Sequence, residues 1–191
     1  MARLLAGICL MFLSAFSQNA VGETPALDAS VWIGTQFPEA KLRHPGRIAR
    51  LVFDHAAVND LPFNLLLAVI AVESRFKSDA HSEHGAIGLT QVLPKYHHDK
   101  LRGRPLTNPD VAIEVGAIIL GNCLVRWKKM DRALRCYSGS SGKHAVEYVG
   151  LVERRIRQFT AFQMMQESHR LRFAQVSNEV TIASTYGNLP N

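Results

Sequence analysis

The chain has 191 residues, of which 47% are apolar and 20% charged, with a formal net charge of +6. That balance excludes a disordered or collagen-like chain, and the length fits one domain able to bury a core of its own. No apolar run reaches the roughly 18 residues of a membrane-spanning helix, and no block of like charge has the length of a nucleic-acid tail, so a multi-pass membrane protein is excluded and nucleic acid is not an expected partner.

The chain starts with Met1-Ala2-Arg3, one positive charge, and is then almost wholly apolar from Leu4 to Phe16. Small-x-small sites follow at Ala15-Phe16-Ser17 and Ala20-Val21-Gly22. This is the build of a secretory signal peptide, so residues 1–22 are expected to be removed and the mature protein to be periplasmic or secreted. A buried N-terminal helix or a retained anchor is the alternative. Residues 23–44 hold Pro25 and Pro38 and little periodicity, and read as an extended lead-in.

From Pro45 the pattern is helical, with Ile48, Leu51, Val52, His55 and Ala56 at three- and four-residue steps. Asn59-Asp60-Leu61-Pro62 stops that helix and starts the next. Leu65 to Val72 is apolar on every side, as in a fully buried helix. Ser78 to Pro94, rich in Gly, Ser and His, reads as a loop with a short helical piece near its end. Asn108-Pro109-Asp110 supplies a cap, a first-turn proline and a first-turn acid, and Ile113, Gly116, Leu120, Cys123, Leu124 and Trp127 form the inner stripe. Asp131 is a candidate cap for a short helix ending at Ser138-Gly139-Ser140-Ser141-Gly142. Ala145, Tyr148, Val149, Val152, Ile156 and Phe159 stripe the last long helix. The fold class is mainly α, one domain over residues 45–165, with a C-terminal tail over 166–191 that reads as loose from about residue 175.

Export changes the cysteine arithmetic. Cys9 leaves with the signal, and Cys123 and Cys136 remain, at similar distances from the turn between two antiparallel helices. One disulfide is expected in an oxidising compartment, with two buried free thiols as the alternative. These two cysteines are too few for zinc, and His97-His98 and His81/His84 have no metal spacing with them, so no metal or cofactor is expected.

Glu73 closes the most apolar helix, with Ile70, Val69 and Leu66 on its own face. A carboxylate there is costly unless it is solvated or paired, for example with Arg75. Burial and the negative end of the helix dipole both raise a carboxyl pKa, and a proton held near neutral pH is what a general acid needs. Beyond it stand Ser74, the run Gly85-Ala86-Ile87-Gly88-Leu89-Thr90-Gln91, then Cys136-Tyr137-Ser138-Gly139 and Tyr148. Gln91 lies 18 residues after the acid.

This set resembles the soluble lytic transglycosylase (SLT) catalytic domain family, lysozyme-like relatives of goose-type lysozyme. The family pattern is Glu-Ser, Gly-Leu-Met-Gln, Ala-Tyr-Asn-Ala-Gly and a late tyrosine. The resemblance covers about residues 58–160. It implies a lysozyme-like helical domain with a substrate groove, and cleavage of peptidoglycan glycan strands between N-acetylmuramic acid and N-acetylglucosamine. Glu73 matches the single catalytic acid/base, whose product is a 1,6-anhydromuramoyl end. Gln91 and Tyr137 match groove-lining positions, and Tyr148 matches the tyrosine whose hydroxyl meets the acid. Ser74 matches the partner of the acid, a helix-end hydrogen-bonder grouped with the substrate-binding positions. Thr90 stands where the family has Met at a sugar-contacting site, and Ser138 replaces Asn. Asp79, Glu83 and Asp99 read as solvated charges rather than a second catalytic carboxylate.

Three clusters carry the positive charge: Lys100, Arg102 and Arg104; Arg126, Lys128 and Lys129; and Arg154, Arg155 and Arg157. They suit solubilising faces or steering toward an anionic wall. A hydrolytic lysozyme and a non-catalytic wall-binding module stay open as alternatives. Small size and export also suggest local wall opening for an envelope-spanning secretion, conjugation or pilus machine.

Overall fold

The computed structural model describes residues 24–186, with side chains described through residue 177. The expected signal peptide lies outside the described residues. Helix α1 spans residues 24–36, and a 3₁₀ turn follows at Pro38–Ala40. Then come α2 (Pro45–Val58), α3 (Phe63–Glu73), α4 (Pro94–Leu101), α5 (Pro109–Trp127), α6 (Met130–Ser138) and α7 (Gly142–Tyr186). Among the described residues there is no β-strand, only isolated bridges pairing His81 with Ile87 and Ile87 with Val92. The mainly α class is as expected.

Helix α3 is the centre. All seven residues from Leu65 to Ala71 are buried, so the helix needs neighbours on every side. Helices α2 and α7 pack on it, α5 packs on α2 and α6, and α6 closes against α7. The Asn108 side chain caps α5 by accepting from the Asp110 backbone N–H at 3.0 Å, with Pro109 in the first turn. Asp131, expected as the cap of α6, lies within its first turn instead; Lys129 is the N-cap and makes no side-chain bond.

Two expectations about the flanks fail. Residues 24–36 are not an extended lead-in but a helix that completes the core. Ala26, Ala29, Ile33 and Phe37 recur at helical steps and are buried. Pro25 sits in the first described turn and Pro38 beyond the last one, so neither interrupts the helix. Trp32 packs edge-on to Phe37 at 5.2 Å and meets Phe159 of α7 at 5.3 Å, while Phe37 lies 4.9 Å from Phe76.

The domain does not stop at residue 165 either, since α7 continues to Tyr186. No Gly or Pro falls between Leu151 and Tyr186 to stop it. The buried Asp28 of α1 accepts a two-pronged bond from Arg170 at 2.8 and 3.1 Å, so the packed domain reaches past residue 165.

Cys123 and Cys136 form a disulfide joining α5 to α6, with Cα atoms 5.8 Å apart. Closing a loop of this size adds about 3 kcal/mol where the geometry is compatible. Only Ala133 and Leu134 of α6 are fully buried. Burying a leucine is worth about 1.5–3 kcal/mol, so the covalent link is comparable to the burial of Leu134.

Candidate active site

Glu73 is the last residue of α3, where the buried helix reaches a groove of about 510 Å³. Its Oε1 accepts a hydrogen bond from the Tyr148 hydroxyl at 2.6 Å. Burial pushes the Glu73 carboxyl up to about 7, and the Tyr148 bond, which favours the charged form, opposes that rise. Arg75 does not neutralise it. The chain turns left-handed after the helix, with Arg75 at φ 52° and Phe76 at φ 63°. That turn carries the guanidinium outward to Glu39, at 2.6 Å, and over the Phe37 ring.

Burial, followed by the nearby Glu73 charge, also pushes the phenols of Tyr137 and Tyr148 well above their ordinary range. Both therefore stay protonated and act as donors. Tyr137 donates to the Thr90 carbonyl at 2.8 Å, tying α6 to the loop after α3.

Of the positions singled out from sequence, Glu73, Gln91, Tyr137, Ser138 and Tyr148 line the groove. Gln91, at φ 48°, uses its amide nitrogen on the Ala80 and Gly88 carbonyls at 3.2 and 3.0 Å, so its oxygen is the end available to a ligand. The Ser138 hydroxyl shares a 2.6 Å bond with Ser140 and donates to the Arg135 carbonyl at 3.3 Å, shaping the end of α6.

Ser74 and Thr90 do not line the groove, which corrects their placement among the substrate-binding positions. Ser74 is buried and donates to the carbonyls of Ile70 and Leu89 at 3.2 and 2.8 Å, locking the end of α3 to the loop. Thr90 is 1% exposed, and its hydroxyl donates to the Ala112 carbonyl at 2.6 Å. The reason lies in α5. Gly116 leaves the space Thr90 fills, and a Cβ there would come within 2.5 Å of the Thr90 side chain. Gly88 holds the same turn at φ 80°, and any side chain on it would run into the Leu106 carbonyl.

Groove residues that sequence reasoning missed are His84, His97, His144 and Glu147. His144 and Glu147 stand one turn before and immediately before Tyr148 on α7, and that proximity was the available signal. His97 gave none. It sits where α4 kinks, at φ −134°, and its buried Nδ1 makes no hydrogen bond within the protein. Burial, then Lys100, push its imidazole below the usual histidine range, favouring the neutral ring. Asp79, Glu83 and Asp99 are exposed, with Asp99 paired to Lys100 at 2.8 Å.

The sequence matches the family profile of the transglycosylase SLT domain over residues 50–149. The chain belongs to that family. Comparison with curated proteins finds no match. The SLT domain makes the protein a transglycosylase with peptidoglycan of the cell wall as substrate. The matched span runs from α2 through Tyr148 and holds every groove position named from sequence, while α1 and most of α7 lie outside it.

Proposed function

We propose that the protein is an exported lytic transglycosylase in which Glu73 is the single acid/base. The observation that carries this reading is a carboxyl at about 7 on the floor of the groove, held by a 2.6 Å bond from Tyr148. Protonated Glu73 gives its proton to the glycosidic oxygen as that oxygen leaves muramoyl C1. The resulting carboxylate then takes the proton of the C6 hydroxyl, whose oxygen bonds to C1. A 1,6-anhydro ring forms, no water is consumed, and Glu73 ends protonated as it began. A pKa near neutrality suits both halves, since neither donation nor recovery is strongly uphill. The substrate's acetamido group assists at C1. Tyr137, Ser138 and the Gln91 oxygen form the sugar-binding wall.

One observation favours a hydrolytic reading: Glu147 supplies a second carboxylate on the same groove, and inverting hydrolysis uses one to activate water. Product analysis separates the two. Mass spectrometry of purified peptidoglycan digests is expected to give 1,6-anhydromuropeptides with the wild type and none with Glu73→Gln. Reducing ends would establish hydrolysis. Clearance by Glu73→Gln at the wild-type rate would show that Glu73 is not the acid, and no cleavage by the wild type itself would leave a non-catalytic wall-binding module.

Export through residues 1–22 supports periplasmic or secreted action, and cell fractionation of the full-length chain tests it. Local wall opening for an envelope-spanning machine follows from size and export. A deletion strain that assembles every such apparatus normally would remove that role.

A further inference from the structure

One wall of the groove depends on support from outside its own helix. Helix α6 is nine residues long, too short to persist alone. It buries only Ala133 and Leu134 fully and lacks a side-chain cap at its start. Its groove-lining pair, Tyr137 and Ser138, directly follows Cys136, which is bonded to Cys123 of α5. Helix α5 buries eight residues along 19 and is capped by Asn108. Helix α6 packs on α5 and α7, and the disulfide pins its C-terminal end to the longer α5, next to the tyrosine that shapes the site. Both half-cystines also line a second cavity of about 490 Å³, which shares Tyr137, Ser138 and His97 with the groove. A small thiol therefore has a route to the bond from the substrate side.

We propose that the Cys123–Cys136 disulfide is a positioning device for the Tyr137 wall, and that full wall-cleaving activity requires its oxidised form. The activity half of this inference rests on the groove being the peptidoglycan site. On reduction, a thiolate of a dithiol attacks one sulfur and the other leaves as a thiolate. The second thiol of the reductant then resolves the mixed disulfide. The protein gains two electrons and two protons, and the reductant departs as a cyclic disulfide. A disulfide oxidant reverses each step. Without the bond, α6 frays from α5 and the Tyr137 bond to the Thr90 carbonyl is lost. Glu73 and Tyr148 stand on α3 and α7 and keep their contact. A chain reduced before export would thus carry an intact acid beside a slack binding wall.

The test uses the mature wild-type protein, oxidised or treated with dithiothreitol, beside a Cys123→Ser/Cys136→Ser variant. Hydrogen exchange and steady-state kinetics on purified peptidoglycan are read together. Reduction is expected to speed amide exchange over residues 129–140 about tenfold while α3 and α7 stay protected. KM is expected to rise about tenfold, with kcat within about twofold and the pH midpoint unmoved. Reoxidation restores the wild type, and the double variant ignores the reductant. Unchanged exchange and KM on reduction would overturn the proposal, and so would loss of protection throughout the domain, which would mean a staple for the whole fold. If the oxidised protein cleaves nothing, the peptidoglycan reading fails, while exchange over α6 still decides the positioning claim.

Discussion

Glu73 and Tyr148 stand on helices α3 and α7, which pack on each other across the buried centre, whereas Tyr137 and Ser138 stand on α6, a nine-residue helix with two fully buried side chains and a covalent tie. The Glu73 carboxyl owes its raised pKa to the protein that surrounds it. Tyr137 and Ser138 come instead from a short helix that packs on α5 and α7 and is tied to α5 by the disulfide. The lesson is that one groove can draw its buried carboxyl from a pair of packed helices and its facing side chains from a short helix tied in covalently.

The sharpest way to break this comparison is at the acid. Glu73→Gln should lower the rate of muropeptide release by about 10²–10⁴-fold, the range for a lost general acid, with its helical circular dichroism unchanged. The same change should raise stability at neutral pH. The folded-state pKa of Glu73 is raised from 4.5 to about 7. The protein therefore binds that proton more tightly than the unfolded chain does. The stability this adds is complete below pH 4.5 and lost as pH rises through about 7, a difference of about 3 kcal/mol. Glutamine removes this dependence, and denaturant melts at pH 5 and pH 8 should show a flatter profile for the variant.

Tyr148→Phe tests the same region more gently. Removing the hydroxyl deletes the bond that favours the charged carboxylate, so the Glu73 midpoint should move above 7. For the wild type, kcat/KM should fall as pH rises through about 7, because the protonated form is the acid. The variant should lose about tenfold in kcat through a less fixed Glu73 rotamer, and its alkaline limb should shift upward. A profile that keeps the wild-type midpoint would detach Tyr148 from the acid.

The smallest effect should come from Thr90→Val. It preserves shape but deletes the bond to the Ala112 carbonyl, and should cost about 1–2 kcal/mol in a denaturant melt. KM for peptidoglycan should stay within about twofold, because the side chain faces α5 and not the groove. A larger KM change would return Thr90 to the sugar-binding wall.

Much of the site was legible through the order and spacing of its motifs. The residues by themselves singled out Glu73, a lone carboxylate at the end of an apolar helix, while the resemblance to the family's ordered motifs assigned Gln91, Tyr137 and Tyr148 to the groove, where they lie. Helices α2, α3, α5 and the start of α7 announced themselves by periodicity and caps. Residues 24–36 were obscured by Pro25 and Pro38, which bracket a helix but resemble breaks within one. The place of His97 on the groove was not legible, because it sits at a kink in α4 that no local pattern announces.

The sequence by itself determined the mainly α class, the central buried helix and the acid at its end, since periodicity and the cost of burying charge are local properties. Only the tertiary structure decided that Thr90 turns inward, that Arg75 leaves Glu73 for Glu39, and that α1 closes the core against Phe159. Each depends on a partner distant along the chain: the space left by Gly116, the 3₁₀ turn that presents Glu39, the aromatic face of α7. Direction and burial are set by such long-range packing, which no window of neighbouring residues contains.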